Sequence, residues 1–215
     1  MGDVIRLAER RAARRPRTAS PGRVRVELLF DLCCPFSYLA AERVERAFDD
    51  VIWTPASTSA VRSGCPAPTA EALERLRAAA EAHAAELRLP LVWPERFPAE
   101  VPYAMRAAAF ASERGRGAAF VLAAFRLAFC GGFDLEDPEI LAEAAAAAGI
   151  GMEGCLQAVG EARRDEAIDA AGRRLLAAGA DRLPALRVGR SLFWGENRVA
   201  EAAAAARHQA AVAAR

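Results

Sequence analysis

The chain has 215 residues, is 53% hydrophobic and 27% charged, and carries a formal net charge of +1. That length suffices for one good core or for a domain with an insertion. The balanced charge excludes a nucleic-acid or membrane partner recruited by bulk electrostatics.

About a quarter of the residues are alanine, which raises the hydrophobic fraction without adding much core volume, and every basic residue is arginine. Met1 to Ser20 contains no apolar run of the secretory kind, so no signal peptide is expected there. Its basic stretch, Arg10 to Arg17, reads as a solvated helix and tail. Five cysteines at irregular spacing point to a reducing cytoplasm rather than a disulfide framework. His83 and His208, the two histidines, do not fall at ligand spacing from a cysteine pair, so no metal site is expected.

In chain order, a helical or loose extension to about residue 20 precedes an alternating run, Val24 to Phe30, that predicts a strand. The apolar-periodic segment Phe36 to Phe48 predicts a helix, and Val51 to Thr54 a second short strand. Pro55 to Thr69 holds three prolines (Pro55, Pro66 and Pro68) and Gly64 and reads as a loop. Leu73, Leu76, Ala80, Ala84 and Leu87 keep a helical period behind Thr69, a plausible N-cap. Helices are further expected over Tyr103–Arg114, Ala118–Cys130, Pro138–Ala148 and Glu166–Ala178. Ala185–Val188 and Leu192–Trp194 read as a strand pair joined through Gly189-Arg190, and an alanine-rich helix follows Asn197. Strands at both ends and helices between them imply an α/β domain split by an all-helical insertion.

The chemistry concentrates where the first strand meets the first helix, at Asp31-Leu32-Cys33-Cys34-Pro35-Phe36-Ser37-Tyr38-Leu39-Ala40. Pro35 suits a first helical turn, having no N–H to leave unpaired. The free N–H groups and dipole of a helix start favour negative charge, so Cys34 is expected to ionise more readily than a free thiol and to act as nucleophile. A dithiol enzyme would carry a second cysteine three positions on, but Ser37 stands there. Cys33 is adjacent, but a ring between neighbouring cysteines is strained, so it is expected to point away. Cys65, Cys130 and Cys155 read as core or loop thiols.

Asp31 with Pro35 to Ala40 resembles the first motif of the 2-hydroxychromene-2-carboxylate isomerases and kappa-class glutathione transferases, within the broader DsbA-like group. Pro102 to Ala107 resembles a helix start of that branch. Leu183 to Gly189, running into Leu192 to Arg198, resembles its cis-proline strand and Phe-Trp-Gly-x-Asp-Arg signature. The isomerases and kappa transferases usually carry serine at the position of Cys34, and DsbA-like oxidoreductases carry cysteine.

The resemblance implies a thioredoxin-like fold with a small central sheet and a large helical insertion between its halves. The corresponding division is an N-terminal extension at 1–20, a thioredoxin-like domain at 21–60 and 180–215, and a helical insertion at 61–179. It implies a cis peptide before Pro184, with the Leu183 backbone facing the thiol and pairing with an extended ligand. It implies that Glu196 and Asn197 hold the γ-glutamyl end of glutathione, with Glu196 supplying the charge that Asn197 lacks. A helix cap at Asn197 explains that pair equally well. Ser37 and Tyr38 are expected to hydrogen-bond the Cys34 sulfur, with Pro35 beside it.

The expected function is a thiol-dependent oxidoreductase with Cys34 as single nucleophile, glutathione or another small thiol as co-substrate, and an electrophile or disulfide as partner. Its rivals are a glutathione-dependent isomerase or transferase, and a thiol-binding protein without turnover. Homodimerisation is compatible with each.

Overall fold

The computed structural model describes residues 24–213, so the extension expected at 1–20 lies outside the described residues. In chain order the elements are β1 (Val26–Phe30), α1 (Pro35–Ala47), β2 (Ile52–Pro55), α2 (Thr58–Val61), α3 (Ala70–Leu87), α4 (Pro102–Glu113) and α5 (Gly117–Phe129). There follow α6 (Pro138–Ala147), α7 (Met152–Gly160), α8 (Arg163–Ala177), β3 (Ala185–Val188), β4 (Ser191–Trp194) and α9 (Val199–Ala213). This is a thioredoxin-like fold: a mixed sheet ordered β2-β1-β3-β4, with a long helical segment inserted between β2 and β3.

β1 runs parallel to β2 and antiparallel to β3, so the sheet joins the two ends of the chain. Alternation along β1 sends Val26, Leu28 and Phe30 to one face and Leu29 to the other. The first set packs with Tyr38, Leu39 and Val44 of α1 and with Phe120, Phe125 and Phe129 of α5. Leu29 meets Val61, Ala171, Leu175 and Leu183 on the opposite side. Phe30, Tyr38, Phe120, Phe125 and Phe129 are among the largest fully buried side chains. Each contributes roughly 1.5–3 kcal/mol by leaving water. Tyr38 stacks on Phe129 with ring centroids 5.5 Å apart.

Two elements depart from the sequence expectation. The stretch expected to be loop, Pro55 to Thr69, contains α2, whose start is capped by the Ser57 hydroxyl accepting the Ala60 N–H at 3.2 Å. A helix, α7, also occupies Met152–Gly160, a stretch to which the sequence pattern assigned no element. Gly154 is there for packing: a Cβ would sit 3.1 Å from the Phe110 ring of α4. Arg106, in the second family-like segment, braces helices: its guanidinium donates to both Asp165 oxygens, at 2.8 and 2.6 Å, and to Val159 O.

Candidate active site

Cys34 is the N-cap residue of α1 and Pro35 opens the first turn. The thiol loop is fixed from several directions. The Cys34 N–H donates to Asp31 O at 3.1 Å, and Leu32 N–H to the Met105 sulfur at 3.4 Å. The buried Asp31 carboxylate accepts the Cys33 N–H at 3.0 Å on one oxygen and the Thr58 N–H at 2.7 Å on the other. Thus Asp31 ties the thiol loop to the start of α2. Ser37 is fully buried, and its hydroxyl accepts the Asp31 N–H at 3.4 Å.

The far wall comes from the other end of the chain. The Leu183–Pro184 peptide is cis, and Cys34 Sγ donates to the Leu183 carbonyl oxygen at 3.7 Å. The carbonyl of Pro184 accepts the Gly195 N–H at 2.8 Å, which draws the loop after β4 alongside. That loop lines an open groove of about 310 Å³, formed by Trp194, Glu196, Asn197 and Arg198 together with Asp181 and Arg182. Arg182 donates to both Asp181 oxygens at 2.9 Å, and Arg43 of α1 reaches the Glu196 carbonyl at 3.4 Å. On the other side of the thiol loop, Leu32 and Cys33 border a narrow cleft of about 20 Å³ walled by Phe97, Val101, Phe129 and Phe133. The two neighbouring cysteines therefore serve different surroundings: Cys34 meets Leu183, and Cys33 meets the cleft.

Three expectations require correction. The first concerns acidity. Burial pushes the Cys34 thiol up to about 11, and the nearby Asp31 charge adds to this. The Ser37 hydroxyl and the N–H groups of Ser37 and Phe36 pull the other way without prevailing. Desolvation of the charged form outweighs the helix-start field that alone would lower it. Cys33 is raised as well, by burial and then by Asp31.

The second correction concerns Tyr38. Its hydroxyl donates to Pro90 O at 2.9 Å and lies 3.3 Å from Cys130 Sγ, within the core and not on the Cys34 sulfur. The third concerns Asn197, which is exposed and precedes the start of α9 at Val199 by two positions, so it is not the residue capping that helix.

The structure brings Cys34, Pro35, Ser37, Leu183 and Pro184 together and sets Glu196 and Asn197 in the adjoining groove. Sequence reasoning missed Asp181, Arg182 and Arg198, which give that groove both signs of charge. Charged residues flanking Leu183-Pro184 and Gly195 were the available signal. Among the described residues no group of three or more His, Cys, Asp or Glu side chains could hold a metal ion. No described helix is long and apolar enough to cross a membrane.

A family profile described as DSBA-like thioredoxin domain matches residues 25–206. The chain belongs to that family. Among solved structures, this DSBA-like chain is similar to a 2-hydroxychromene-2-carboxylate isomerase, with a TM-score of 0.76 at 18% identity over 88% of this chain and 97% of the other. It is also similar to a probable DsbA oxidoreductase from Streptomyces coelicolor, with a TM-score of 0.70 at 24% identity over 87% and 90% of the two chains. A third similar structure is the cytosolic disulfide reductase DsbM from Pseudomonas aeruginosa with GSH, with a TM-score of 0.62 at 18% identity over 86% and 98%. These likenesses concern the fold. No curated protein sequence matches the chain significantly.

Proposed function

We propose that this DSBA-like protein is a thiol-dependent oxidoreductase in which Cys34 acts as a single nucleophile with glutathione or a similar small thiol. The observation that carries the reading is the contact of Cys34 Sγ with the carbonyl before cis-Pro184, at 3.7 Å. An extended ligand pairing its backbone with Leu183 would bring its own sulfur to Cys34. The adjoining groove suits a zwitterionic end: it offers Glu196 for an ammonium, beside the Asp181–Arg182 and Arg198–Glu201 ion pairs, which present both signs of charge. A DsbM structure with GSH shares the fold, which supports a small-thiol ligand here.

In this reading the Cys34 thiolate attacks one sulfur of a disulfide. The S–S bond breaks, the departing thiolate takes up a proton, and a mixed disulfide forms on Cys34. A free small thiol then attacks as its thiolate, restores Cys34 and leaves as the second half of a new disulfide. Ser37 cannot resolve the intermediate, so the second thiol comes from solution. The setting is a reducing cytoplasm. The thiol-bearing part is assigned to 21–60 and 180–215, and the covering helices to 61–179.

A second reading, isomerase or transferase chemistry, is favoured by the upward push on Cys34 to about 11. A protonated Cys34 can donate a hydrogen bond to the thiolate of a bound glutathione, and that thiolate then attacks the electrophile. The test is exposure to glutathione disulfide followed by intact mass measurement. A gain of one glutathione in wild type, absent in Cys34→Ser, is the outcome expected of the oxidoreductase. Absence of an adduct in wild type, with turnover of an electrophile retained in Cys34→Ser, overturns it in favour of the second reading.

A further inference from the structure

We propose that residues 91–100 form a lid, latched by Arg77, over the apolar cleft beside the thiol loop. The lid operates whichever reaction Cys34 performs. The cleft is shut as it stands: Leu32, Phe97, Val101, Phe129 and Phe133 wall it, Cys33 borders it, and its free volume is about 20 Å³. That is room for roughly one water molecule and for no apolar group. Phe133 is 48% exposed, so solvent lies just beyond the wall.

The segment between α3 and α4 holds neither helix nor strand, and none of residues 91–100 is buried. Both of its ends are fixed. At one end the Pro90 carbonyl accepts the Tyr38 hydroxyl of α1 at 2.9 Å, and the Leu89 N–H donates to Ala84 O. At the other, buried Val101 precedes α4, whose Tyr103 and Ala104 N–H groups donate to the Glu136 carboxylate. Between these points the Val92 N–H donates to Phe129 O at 2.7 Å and the Glu95 N–H to Gly132 O at 3.3 Å. Arg96 pairs with Asp134 at 3.0 Å, an exposed contact that adds little. A segment with fixed ends and no buried residue is of the kind that opens without the rest of its domain.

The latch comes from α3. The Arg77 guanidinium lies over the Trp93 and Phe97 rings, 5.3 and 5.5 Å from their centroids, and donates to the Phe97 carbonyl at 3.2 Å. The two ring centroids are 4.6 Å apart, and the Trp93 indole N–H donates to Glu81 at 2.7 Å. Phe97 is thus both a wall of the cleft and a partner of Arg77. Arg77 Nε is buried with no hydrogen-bond partner. Opening lets water reach that N–H, which offsets part of the contacts given up. An open lid widens the cleft for an apolar group of the molecule that reacts at Cys34, and it bares Cys33.

Two measurements in a Cys34→Ser background read the opening: alkylation of Cys33 by N-ethylmaleimide, followed by peptide mass spectrometry, and hydrogen exchange of the Val92 and Glu95 amides, followed by NMR. With Arg77 in place, the two amides should be less protected than the amides of β1. Arg77→Ala should speed their exchange and the alkylation of Cys33 by the same factor, roughly tenfold, the effect of losing one hydrogen bond and two ring contacts of the closed form. Protection of Val92 and Glu95 equal to that of β1 means that the segment opens only with the whole domain, and it overturns the lid; this comparison needs no change at Arg77. Faster amides in Arg77→Ala with an unchanged Cys33 rate mean that the segment does not cover the thiol, and they overturn it as well. Addition of glutathione to Cys34 is a separate measurement, so the lid and the thiol chemistry fail independently.

Discussion

The Asp31 carboxylate accepts the Thr58 backbone N–H at 2.7 Å, joining the thiol loop to the start of α2 across 27 positions of sequence. Its other oxygen accepts the Cys33 N–H, so one buried side chain fixes the loop that presents both thiols and also opposes their ionisation.

Asp31→Ala should lower stability by about 2–4 kcal/mol, because two backbone donors lose a charged acceptor. It should also lower the Cys34 midpoint. Asp31→Asn keeps one acceptor and should cost less stability while still lowering the midpoint. Urea denaturation and thiolate absorbance measure the two effects separately. If Asp31→Asn left the midpoint where it was, the charge of Asp31 would not be acting on the thiol.

The raised Cys34 midpoint makes stability depend on alkaline pH. A thiol whose folded midpoint lies above its unfolded one binds more protons in the native state. Its contribution is complete below about 9 and is lost as pH rises towards about 11. Wild type should therefore lose on the order of 1–2 kcal/mol more than Cys34→Ser across that window, after discounting for partial solvent access. Thermal melts of both proteins at several alkaline pH values test this; parallel curves would contradict it.

Glu196→Gln should weaken glutathione binding by roughly ten- to a hundredfold, the effect of losing one charge-assisted hydrogen bond. Asn197→Asp should leave binding unchanged or tighten it. Titration calorimetry on both variants is the measurement. Equal affinity in wild type and Glu196→Gln would remove Glu196 from the ligand site.

Ser37→Cys should place a second thiol beside Cys34 and create a C-x-x-C pair. Insulin reduction should rise well above that of wild type, since the new thiol can expel a trapped substrate from Cys34. A wild type already as fast as the variant would mean that another thiol, Cys33 foremost, resolves the intermediate.

Most of the fold was legible because its signals are local. Pro35 after Cys34, Thr69 before α3 and the strand pair around Gly189 each announce an element within a few residues. What was illegible depends on distant neighbours. The acidity of Cys34 was misread because the helix start is visible in sequence while the burial is not; its wall at Leu183 lies 149 positions away. Tyr38 sits in the family-like motif, yet its partners, Pro90 and Cys130, belong to other parts of the chain. Helix α7 was missed because its nine residues carry too short an apolar period to announce a helix; the missing side chain of Gly154 makes room for Phe110.

The pairing of β1 with β3, Leu28 opposite Leu186, sets the order in which the chain can become functional. These strands meet only after the helical segment between them has been made, and closing so long a loop is slow compared with forming a helix. A growing chain that has produced α1 but not β3 carries Cys34 without the Leu183 wall, its sulfur open to water. At that stage the Cys34 thiol should titrate near an ordinary cysteine and react with any oxidant present. Arrival of the C-terminal strands thus completes the sheet and at the same time quiets the nucleophile of the nascent chain.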